Sequence, residues 1–278
     1  MKHPGGEVLA WGVPRLRDLP WRATRDPWAV LVSEVMLQQT QVARVLPKWA
    51  AFMDEFPTTT VCARAPLGDV LRLWQGLGYP RRARNLHAAA SAIERLGAFP
   101  DTLEGLLALP GVGAYTARAV LAFAFEVDAA VVDTNVARVL ARFAGRPLTP
   151  KEAQAAADAG LPSGEAWAWN QCLMELGSLV CRPQPACAEC PLRRRCTWKG
   201  IGPDPAVGSA GVSRAQAPFE GSDRQARGRL LRAAATGVVR GGDAATVMGV
   251  PRERAERLVA SLVADGLLVA ESGRLRLP

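Results

Sequence analysis

The sequence predicts a mostly α-helical protein of two parts, and three observations indicate this. Apolar residues recur at helical spacing through the N-terminal two thirds of the chain. Strand-like segments are scarce before residue 230. The stretch 201–222 is rich in Gly, Pro, Ser and Ala without periodicity, as is typical of a linker. We therefore expect a helical domain over 1–200, a linker over 201–222 and a small α+β domain over 223–278.

The predicted helices of the first domain begin or end at residues suited to those positions. Asp26 precedes a proline and an apolar stripe, which is typical of a helix N-terminus. Helices that approach Gly76 and Gly97 should stop at these glycines. Asp101 followed by Glu104 is typical of a capping box. Further helices are expected at about 114–125, 135–143, 151–159 and 164–180.

The C-terminal part has the order helix, short helix, helix, hairpin. The pattern predicts helices over 224–235, 244–248 and 251–265, and strands over 267–270 and 274–277 around a Glu-Ser-Gly turn. This is the order of a winged helix-turn-helix. The first of these helices is basic, and we expect phosphate contacts from four of its arginines: Arg224, Arg227, Arg229 and Arg232.

The charge balance favours a polyanionic partner. The formal net charge is +8, and arginine, whose guanidinium forks pair well with phosphate oxygens, far outnumbers lysine. A solvated basic surface is the alternative interpretation. No stretch approaches the roughly 20 apolar residues that span a bilayer, and the N-terminus has no signal-peptide pattern. We expect a soluble, cytoplasmic protein.

The segment 109–113, Leu-Pro-Gly-Val-Gly, lies between two predicted helices. Gly111 and Gly113 can take positive φ and bring bare backbone N–H groups to the start of the next helix. Such a hairpin binds a phosphate without any side-chain charge. A tight helix–helix connection with no ligand is the alternative.

Four cysteines follow the pattern Cys-x5-Cys-x2-Cys-x5-Cys, which indicates an inorganic centre. In a cytoplasmic protein such crowding favours metal over disulfides. One short pair flanked by longer arms suits a bulky iron–sulfur cubane, and a structural zinc ion is the alternative. Arginines within the loop suggest that the centre holds a basic loop against phosphates. The four predicted ligands are Cys181, Cys187, Cys190 and Cys196.

Two carboxylates are candidates for chemistry. Glu34 lies in a strongly apolar helix, where a carboxyl group is poorly solvated and suits a general acid. Asp133 follows two valines and precedes a predicted helix, so capping that helix is its simpler role. Spacing alone does not bring the two together.

Several motifs in order resemble the MutY adenine DNA glycosylases of the endonuclease III superfamily. The resemblance covers about residues 15–200, and its glutamate-to-glutamine motif is specific to MutY. It implies a helix-hairpin-helix glycosylase fold, with a helical barrel domain and a [4Fe–4S] cluster domain. The motifs are Leu19-Pro20-Trp21-Arg22, Ser33-Glu34-Val35-Met36-Leu37-Gln38-Gln39-Thr40, Gly76-Leu77-Gly78-Tyr79, residues 109–113 and Val132-Asp133-Thr134-Asn135-Val136, together with the cysteine loop.

The resemblance implies a catalytic mechanism in which adenine is flipped out of the duplex and hydrolysed from its sugar. Glu34 would protonate the adenine at N7 and later help to activate water. Asp133 would stabilise the sugar oxocarbenium ion, with a covalent intermediate as a variant of this role. Asn135 and Tyr115 would position these groups.

The resemblance also implies contacts with DNA. Arg17, Trp21, Arg22 and Gln171 would surround the flipped base. Gln39 and Tyr79 would push into the base stack, although core packing is the simpler role for Trp21 and Tyr79. The expected partner is double-stranded DNA carrying adenine opposite 8-oxoguanine or guanine, bound by a monomer in the bacterial nucleoid.

Three departures from the family pattern stand out. The first cysteine spacer has five residues where six are usual, and Pro80 stands where a second tyrosine is usual. No Nudix-like domain is recognisable, and with only His3 and His87 its phenylalanine–serine–histidine motif cannot occur.

Three other functions compete with adenine removal. The first is the function of an endonuclease III-like glycosylase/AP lyase, and the second is that of a thymine mismatch glycosylase. The lyase needs a lysine amine, but its lysine position matches Tyr115, which predicts a monofunctional enzyme. A non-catalytic DNA-binding protein is the third, against which Glu34 and Asp133 argue.

Overall fold

The computed structural model describes residues 5–212 and 218–278, and these are mostly helical. The helices are α1 (Gly5–Gly12), α2 (Pro27–Leu37), α3 (Val42–Glu55), α4 (Thr59–Arg64), α5 (Leu67–Leu73), α6 (Arg81–Leu96), α7 (Leu103–Leu107), α8 (Ala114–Phe123), α9 (Thr134–Ala144), α10 (Pro150–Gly160), α11 (Ala166–Leu179), α12 (Asp223–Thr236), α13 (Ala244–Met248) and α14 (Arg252–Ala264). The strands are β1 (Val239–Arg240), β2 (Val269–Glu271) and β3 (Arg274–Arg276). Within the described ranges, no helix combines the length and apolarity needed to cross a membrane.

The helix boundaries follow local capping chemistry. Asp26 caps α2, since its carboxylate accepts from the amides of the second and third helical residues at 3.2 and 3.1 Å. Gly97 ends α6 in the left-handed region, as predicted. The predicted capping box at Asp101 is wrong, because Thr102 caps α7 by accepting from the amide of Gly105 at 3.1 Å.

The chain divides into two compact units, and the first comprises Met1–Leu31, Asp101–Leu107 and Val112–Ala215. In this unit α11 packs against α1, α8 and α9. Their apolar side chains form one core, which includes Val8, Val136, Trp169 and Leu176. The first unit is therefore a helical bundle centred on α11.

The second unit comprises Val32–Pro100, Ala108–Gly111 and Gln216–Pro278. Here α6 packs against α4 and α5, and α5 also contacts α12. The ring of Phe52 lies 5.0 Å from that of Phe56 and 6.3 Å from that of Trp74. The C-terminal residues thus belong to the same compact unit as α3–α6.

The C-terminal residues have the predicted winged-helix order. Helices α12, α13 and α14 pack together, and an antiparallel sheet of order β1-β3-β2 follows from pairing Leu275 with both Val239 and Ala270. Strand β1 was not predicted from the sequence. The division into domains at residues 200 and 223 stays a prediction.

Part of the predicted linker is packed. The amide of Ala210 donates to the carbonyl of Leu148 at 2.9 Å, and the amide of Leu148 donates to the Ser209 hydroxyl at 3.0 Å. Residues 213–217 lie outside the described ranges. Residues 204–210 are therefore part of the first unit's structure.

Candidate functional site

The glycine hairpin joins α7 to α8. Gly111 has φ +76°, and a Cβ atom there would lie 2.6 Å from the Cβ of Asn85. Gly113 has φ −95°, so the positive φ predicted for both glycines is confirmed at Gly111 and wrong at Gly113. A Cβ at Gly113 would meet nothing within 4 Å, and no side chain caps α8 there. The open space lets an anionic ligand approach the first amides of α8.

Asp133 is the N-cap of α9. Its Oδ1 accepts from the Val136 amide at 2.7 Å, and its Oδ2 accepts from Nδ2 of Asn135 at 3.0 Å. Burial raises the pKa of Asp133, while the two hydrogen bonds oppose that rise. The structure thus joins Asp133 directly to Asn135, and both carboxylate oxygens of Asp133 are oriented by fixed donors.

Asn135 is held in turn by Arg138, a residue that the sequence did not single out. Nη2 of Arg138 donates to Oδ1 of Asn135 at 2.8 Å and to the Gly177 carbonyl at 2.7 Å. Its Nε donates to the Cys181 carbonyl at 2.7 Å. A continuous hydrogen-bonded path therefore runs from the Asp133 carboxylate to the backbone of the cysteine loop.

Gly177 makes this path sterically possible. A Cβ at Gly177 would lie 2.6 Å from the Cβ of Asn135 and 2.9 Å from its carbonyl carbon and oxygen. Real side chains do not approach so closely. The glycine thus allows α11 and α9 to approach each other at the candidate catalytic pair.

A second polar cluster forms around Glu175, another residue that the sequence did not single out. Its side chain is fully buried and accepts from Nε of Arg17 at 2.9 Å and from Nη1 of Arg22 at 2.8 Å. Nε of Arg22 donates to Oε1 of Gln171 at 2.8 Å. Although burial alone would raise the pKa of Glu175, the two arginines lower it. Glu175 therefore gathers three of the predicted base contacts.

The remaining predicted residues of the first unit have simpler surroundings. Trp21 is 6 % exposed, which fits the packing role considered for it. Tyr115 is half-buried at the second position of α8. Arg25, which was not predicted, lies 4.6 Å from the Trp167 ring centroid and pairs with Glu126.

In the second unit, Glu34 lies in α2 and is 5 % exposed. Its neighbours Val30, Val35 and Met36 are buried as well. The apolar helix predicted around this carboxyl group is thus confirmed.

Gln39 and Tyr79 both have positive φ, +55° and +48°. Non-glycine residues adopt this region only when their surroundings impose it. Arg82 connects the two segments. Its guanidinium donates to the Gln38 carbonyl at 2.7 Å and to the Gly78 carbonyl at 3.1 Å.

Arg82 also stabilises the end of α2. It donates to the carbonyls of Val35 and Met36 at 2.7 and 3.0 Å, where the helix carries its partial negative charge. The guanidinium lies 5.6 Å from the centroid of the Tyr79 ring. Burial lowers the pKa of Arg82 to about 10. The only sequence signal for this role was its position three residues after Tyr79.

The four predicted cysteine ligands line one pocket, together with Arg142 and Trp198. Within the described residues, no group of three or more His, Cys, Asp or Glu side chains is arranged to hold a single metal ion. Burial, together with the charges of the three other thiolates, raises the pKa of Cys190 to about 11, although a backbone hydrogen bond from Leu192 opposes the rise. The four thiols thus share one pocket, as the ligands of a single inorganic centre do.

Arg142 holds the first arm of this loop. It is 1 % exposed and donates to the carbonyls of Arg182 and Pro183 at 2.7 and 3.1 Å. Its Nη2 lies 2.6 Å from Oδ2 of Asp204. The Trp198 ring centroid lies 4.8 Å from the same guanidinium.

Comparison with known proteins identifies the family. The chain is 45 % identical over 287 residues to a Mycobacterium tuberculosis (strain CDC 1551 / Oshkosh) protein named adenine DNA glycosylase, with 98 % of this chain and 92 % of the relative covered. A family model described as HhH-GPD superfamily base excision DNA repair protein matches residues 32–162. The chain belongs to the adenine DNA glycosylase family of the HhH-GPD superfamily. The resemblance identified from the sequence is thus confirmed.

Solved structures confirm the HhH-GPD fold. A thermostable thymine-DNA glycosylase matches with a TM-score of 0.65 and 27 % identity, over 70 % of this chain and 94 % of that one. An endonuclease III in a non-covalent DNA complex matches with a TM-score of 0.61 and 26 % identity, over 69 % and 92 %. This chain therefore shares its fold with a thymine-DNA glycosylase and with an endonuclease III.

Proposed function

We propose that the protein removes adenine from double-stranded DNA in which it is mispaired with 8-oxoguanine or guanine. The observation that carries this proposal is the similarity to an adenine DNA glycosylase along 98 % of the chain. The net charge of +8 and the open hairpin at Gly113 support binding to the phosphate backbone. We expect a monomer to act on the duplex.

Glu34 is the proposed general acid. Adenine leaves poorly as an anion, and protonation at N7 turns it into a neutral leaving group. A carboxyl group that is 5 % exposed in an apolar helix is suited to donate that proton near neutral pH. After the base departs, the Glu34 carboxylate can accept a proton from the attacking water.

Asp133 is proposed to stabilise the positive charge that develops on the sugar. Its carboxylate is oriented by the Val136 amide and Asn135. A carboxylate held in this way can act electrostatically or bond to the sugar C1′, as in retaining glycosidases. Asn135 is then a positioning residue, and Arg138 holds it in place.

We propose that base removal occurs without strand cleavage. A β-elimination lyase forms an imine between a lysine amine and the sugar C1′. Tyr115 stands at the matching position, and a phenol cannot form an imine. The product is then an intact abasic strand.

The four loop cysteines are proposed to hold a [4Fe–4S] cluster. Cys181, Cys187, Cys190 and Cys196 fit this group because their four thiols line one pocket and can therefore ligate a single cluster together. When bound, the cluster crosslinks the loop and so keeps its arginines in place. Equal amounts of iron and acid-labile sulfide in the purified protein would support this assignment, whereas stoichiometric zinc with full activity would contradict it.

The decisive experiment compares base release from four duplexes. Single-turnover assays use adenine opposite 8-oxoguanine, adenine opposite guanine, thymine opposite guanine, and thymine glycol. We expect release from the first two only. Preferred release of either thymine base would instead support one of the competing glycosylase activities.

The acid assignment is tested with Glu34→Gln, which keeps the shape but cannot donate a proton. We expect the loss of at least 10³-fold in release rate, of the order that general acid catalysis contributes, with duplex binding largely unchanged. Glu55→Gln is the matched control, because Glu55 is an exposed helical glutamate. Near-normal turnover of Glu34→Gln would refute the role.

A further inference from the structure

Tyr79 is held in a strained conformation by arginines from two parts of the second unit. Its φ of +48° lies in the left-handed region, which non-glycine residues rarely adopt. Arg82 lies 5.6 Å from its ring centroid, and Arg224 lies 5.9 Å from the same centroid. Nη1 of Arg224 also donates to the Tyr79 hydroxyl at 3.0 Å. The phenol is therefore oriented both by its ring and by its oxygen.

Arg224 comes from the first turn of α12, 145 residues further along the chain. Its guanidinium lies 5.1 Å from the Phe219 ring centroid as well. Aromatic faces at this distance attract a guanidinium and restrict its rotation. The arginine is thus half-buried between two aromatic rings and does not extend freely into solvent.

An ion-pair network fixes α12 close to this contact. Arg227, one turn after Arg224, pairs with Asp265 at 2.6 Å, and Arg81 of α6 pairs with the same carboxylate at 2.5 Å. Arg84 donates to the Asp265 carbonyl at 2.6 Å. The start of α12 is therefore anchored to the helix that follows Tyr79.

We propose that Arg224 is a positioning residue for Tyr79, through which the C-terminal winged-helix-like residues take part in selecting the mispair. The inference rests on the proposed function, together with the role that the family resemblance implies for Tyr79, which is to enter the base stack beside the target. A side chain inserted between bases must offset the cost of unstacking them. It does so better when it is already oriented, because ordering a side chain on binding weakens the affinity. Arg224 supplies that orientation before DNA arrives.

This inference replaces the phosphate contact that the basic pattern of α12 suggested for Arg224. The two roles differ in what they predict. A phosphate contact strengthens binding to every duplex alike. A residue that orients Tyr79 strengthens binding only where a base step is opened.

The test uses the full chain and two duplexes. One carries an abasic-site analogue opposite 8-oxoguanine with 2-aminopurine as the neighbouring base, and the other is undamaged. Affinity for each is measured, and 2-aminopurine fluorescence reports unstacking. We expect Arg224→Gln to lower the ratio of the two affinities about tenfold, which corresponds to about 1.4 kcal/mol, and to reduce the fluorescence rise.

Three further variants make the test specific. Tyr79→Phe removes the hydroxyl that Arg224 contacts, so Arg224→Gln should have less effect in that background. Arg224→Lys keeps the charge but not the planar fork, and we expect it to behave largely like Arg224→Gln. Arg252→Gln is the control, because it removes the same charge from a 90 % exposed site of α14, and we expect an effect below twofold.

Three outcomes would overturn the proposal and restore the phosphate contact. The first is that Arg224→Gln lowers the affinity for both duplexes equally. The others are that its effect on the affinity ratio adds to that of Tyr79→Phe, or that Arg224→Lys has the wild-type ratio. Thermal unfolding identifies any variant that fails to fold, and Arg224→Lys then decides alone. Neither readout needs base release. A wild-type protein that released no adenine would therefore refute the proposed function, whereas the ratio of the two affinities would still test whether Arg224 orients Tyr79.

Discussion

Arg142 and Arg82 each fasten a functional segment by donating to backbone carbonyls, one in each compact unit. Arg142 holds the first arm of the cysteine loop and also forms an ion pair with Asp204 at 2.6 Å. Arg82 holds the segments of Gln39 and Tyr79, and its hydrogen-bond acceptors among the described residues are carbonyl groups and one threonine hydroxyl. They are the carbonyls of Val35, Met36, Gln38, Leu77 and Gly78, and Thr40 Oγ1.

The counter-charge makes the two arginines energetically different. Burial opposes the charge of Arg142, yet Asp204 raises its pKa above the ordinary value. Burial lowers the pKa of Arg82 to about 10, because carbonyl dipoles replace only part of the lost hydration. Removing Arg142 leaves a carboxylate behind, whereas removing Arg82 leaves no opposite charge. The arginine with more carbonyl contacts should thus have the smaller effect on stability.

We expect the largest effect from Arg142→Gln. The change breaks the ion pair and deprives the loop carbonyls of their donor, so we expect a loss of about 3 kcal/mol in the free energy of unfolding. Urea denaturation measures it. Arg146→Gln is the control, since its ion pair with Glu152 is exposed and worth less than about 1 kcal/mol. Similar losses in the two variants would contradict the structural role of Arg142.

Arg82→Met keeps the apolar stem and removes the fork. We expect a loss of about 2 kcal/mol, because the unpaired carbonyls lose their donor while the cost of burying the charge is also removed. Base release should fall by at least tenfold, since Gln39 and Tyr79 no longer keep their strained conformations. Arg95→Met on the same helix is exposed and should do neither. An Arg82→Met protein with normal release would show that these conformations do not need the arginine.

The sequence predicted most of the fold because its helices carry local signals. Asp26 and Gly97 mark boundaries that the structure confirms. Helix α3 was missed, since Pro47 lies inside it and only burial of residues such as Val45 and Phe52 overrides the lost hydrogen bond. Tertiary packing of this kind leaves no local signal.

The candidate site was predictable where motifs are contiguous. Asp133 and Asn135 lie two residues apart, and the structure joins them directly. Glu175 was not predicted, because its partner Arg17 lies 158 residues away. Arg138 was not predicted either, because beyond its local contact with Asn135 it depends on the carbonyl of Gly177, 39 residues away. For Glu175 a signal existed: a carboxylate one turn after Gln171 in an apolar helix should have suggested a buried arginine partner.

Substituting two helical glycines, one in each unit, separates the effect of close packing from the effect of helix propensity. Gly177→Ala should cost about 1–2 kcal/mol and lower base release about tenfold, because the new Cβ displaces Asn135. Gly228→Ala on α12 is the control, since a Cβ there meets nothing within 4 Å. We expect it to stabilise the protein by about 0.5–1 kcal/mol. If both variants lose release equally, displacement of Asn135 is not the cause.

The smallest effect concerns Asp265, whose two arginine partners provide the opposite charge that Arg82 lacks among the described residues of the same unit. The hydrogen bond that Arg81 donates to Asp265 contributes most to lowering the pKa of this carboxylate, and the hydrogen bond from Arg227 lowers it further. We expect Asp265→Asn to cost about 1 kcal/mol at pH 7, since Arg81 is 59 % exposed and its attraction is screened. Asp243→Asn, which disrupts a pair with the 84 % exposed Arg240, should cost less than about 0.5 kcal/mol.

The pH dependence gives the sign of this contribution. A carboxylate whose pKa is lower in the folded state binds more protons when unfolded, so its stabilisation is complete above the unfolded value of about 3.9. It is lost as the pH falls through the folded pKa. The difference in unfolding free energy between wild type and Asp265→Asn should therefore be constant from about pH 5 to pH 8 and shrink below about pH 4. A difference that grew on acidification would mean that the carboxylate is not stabilised by Arg81 and Arg227.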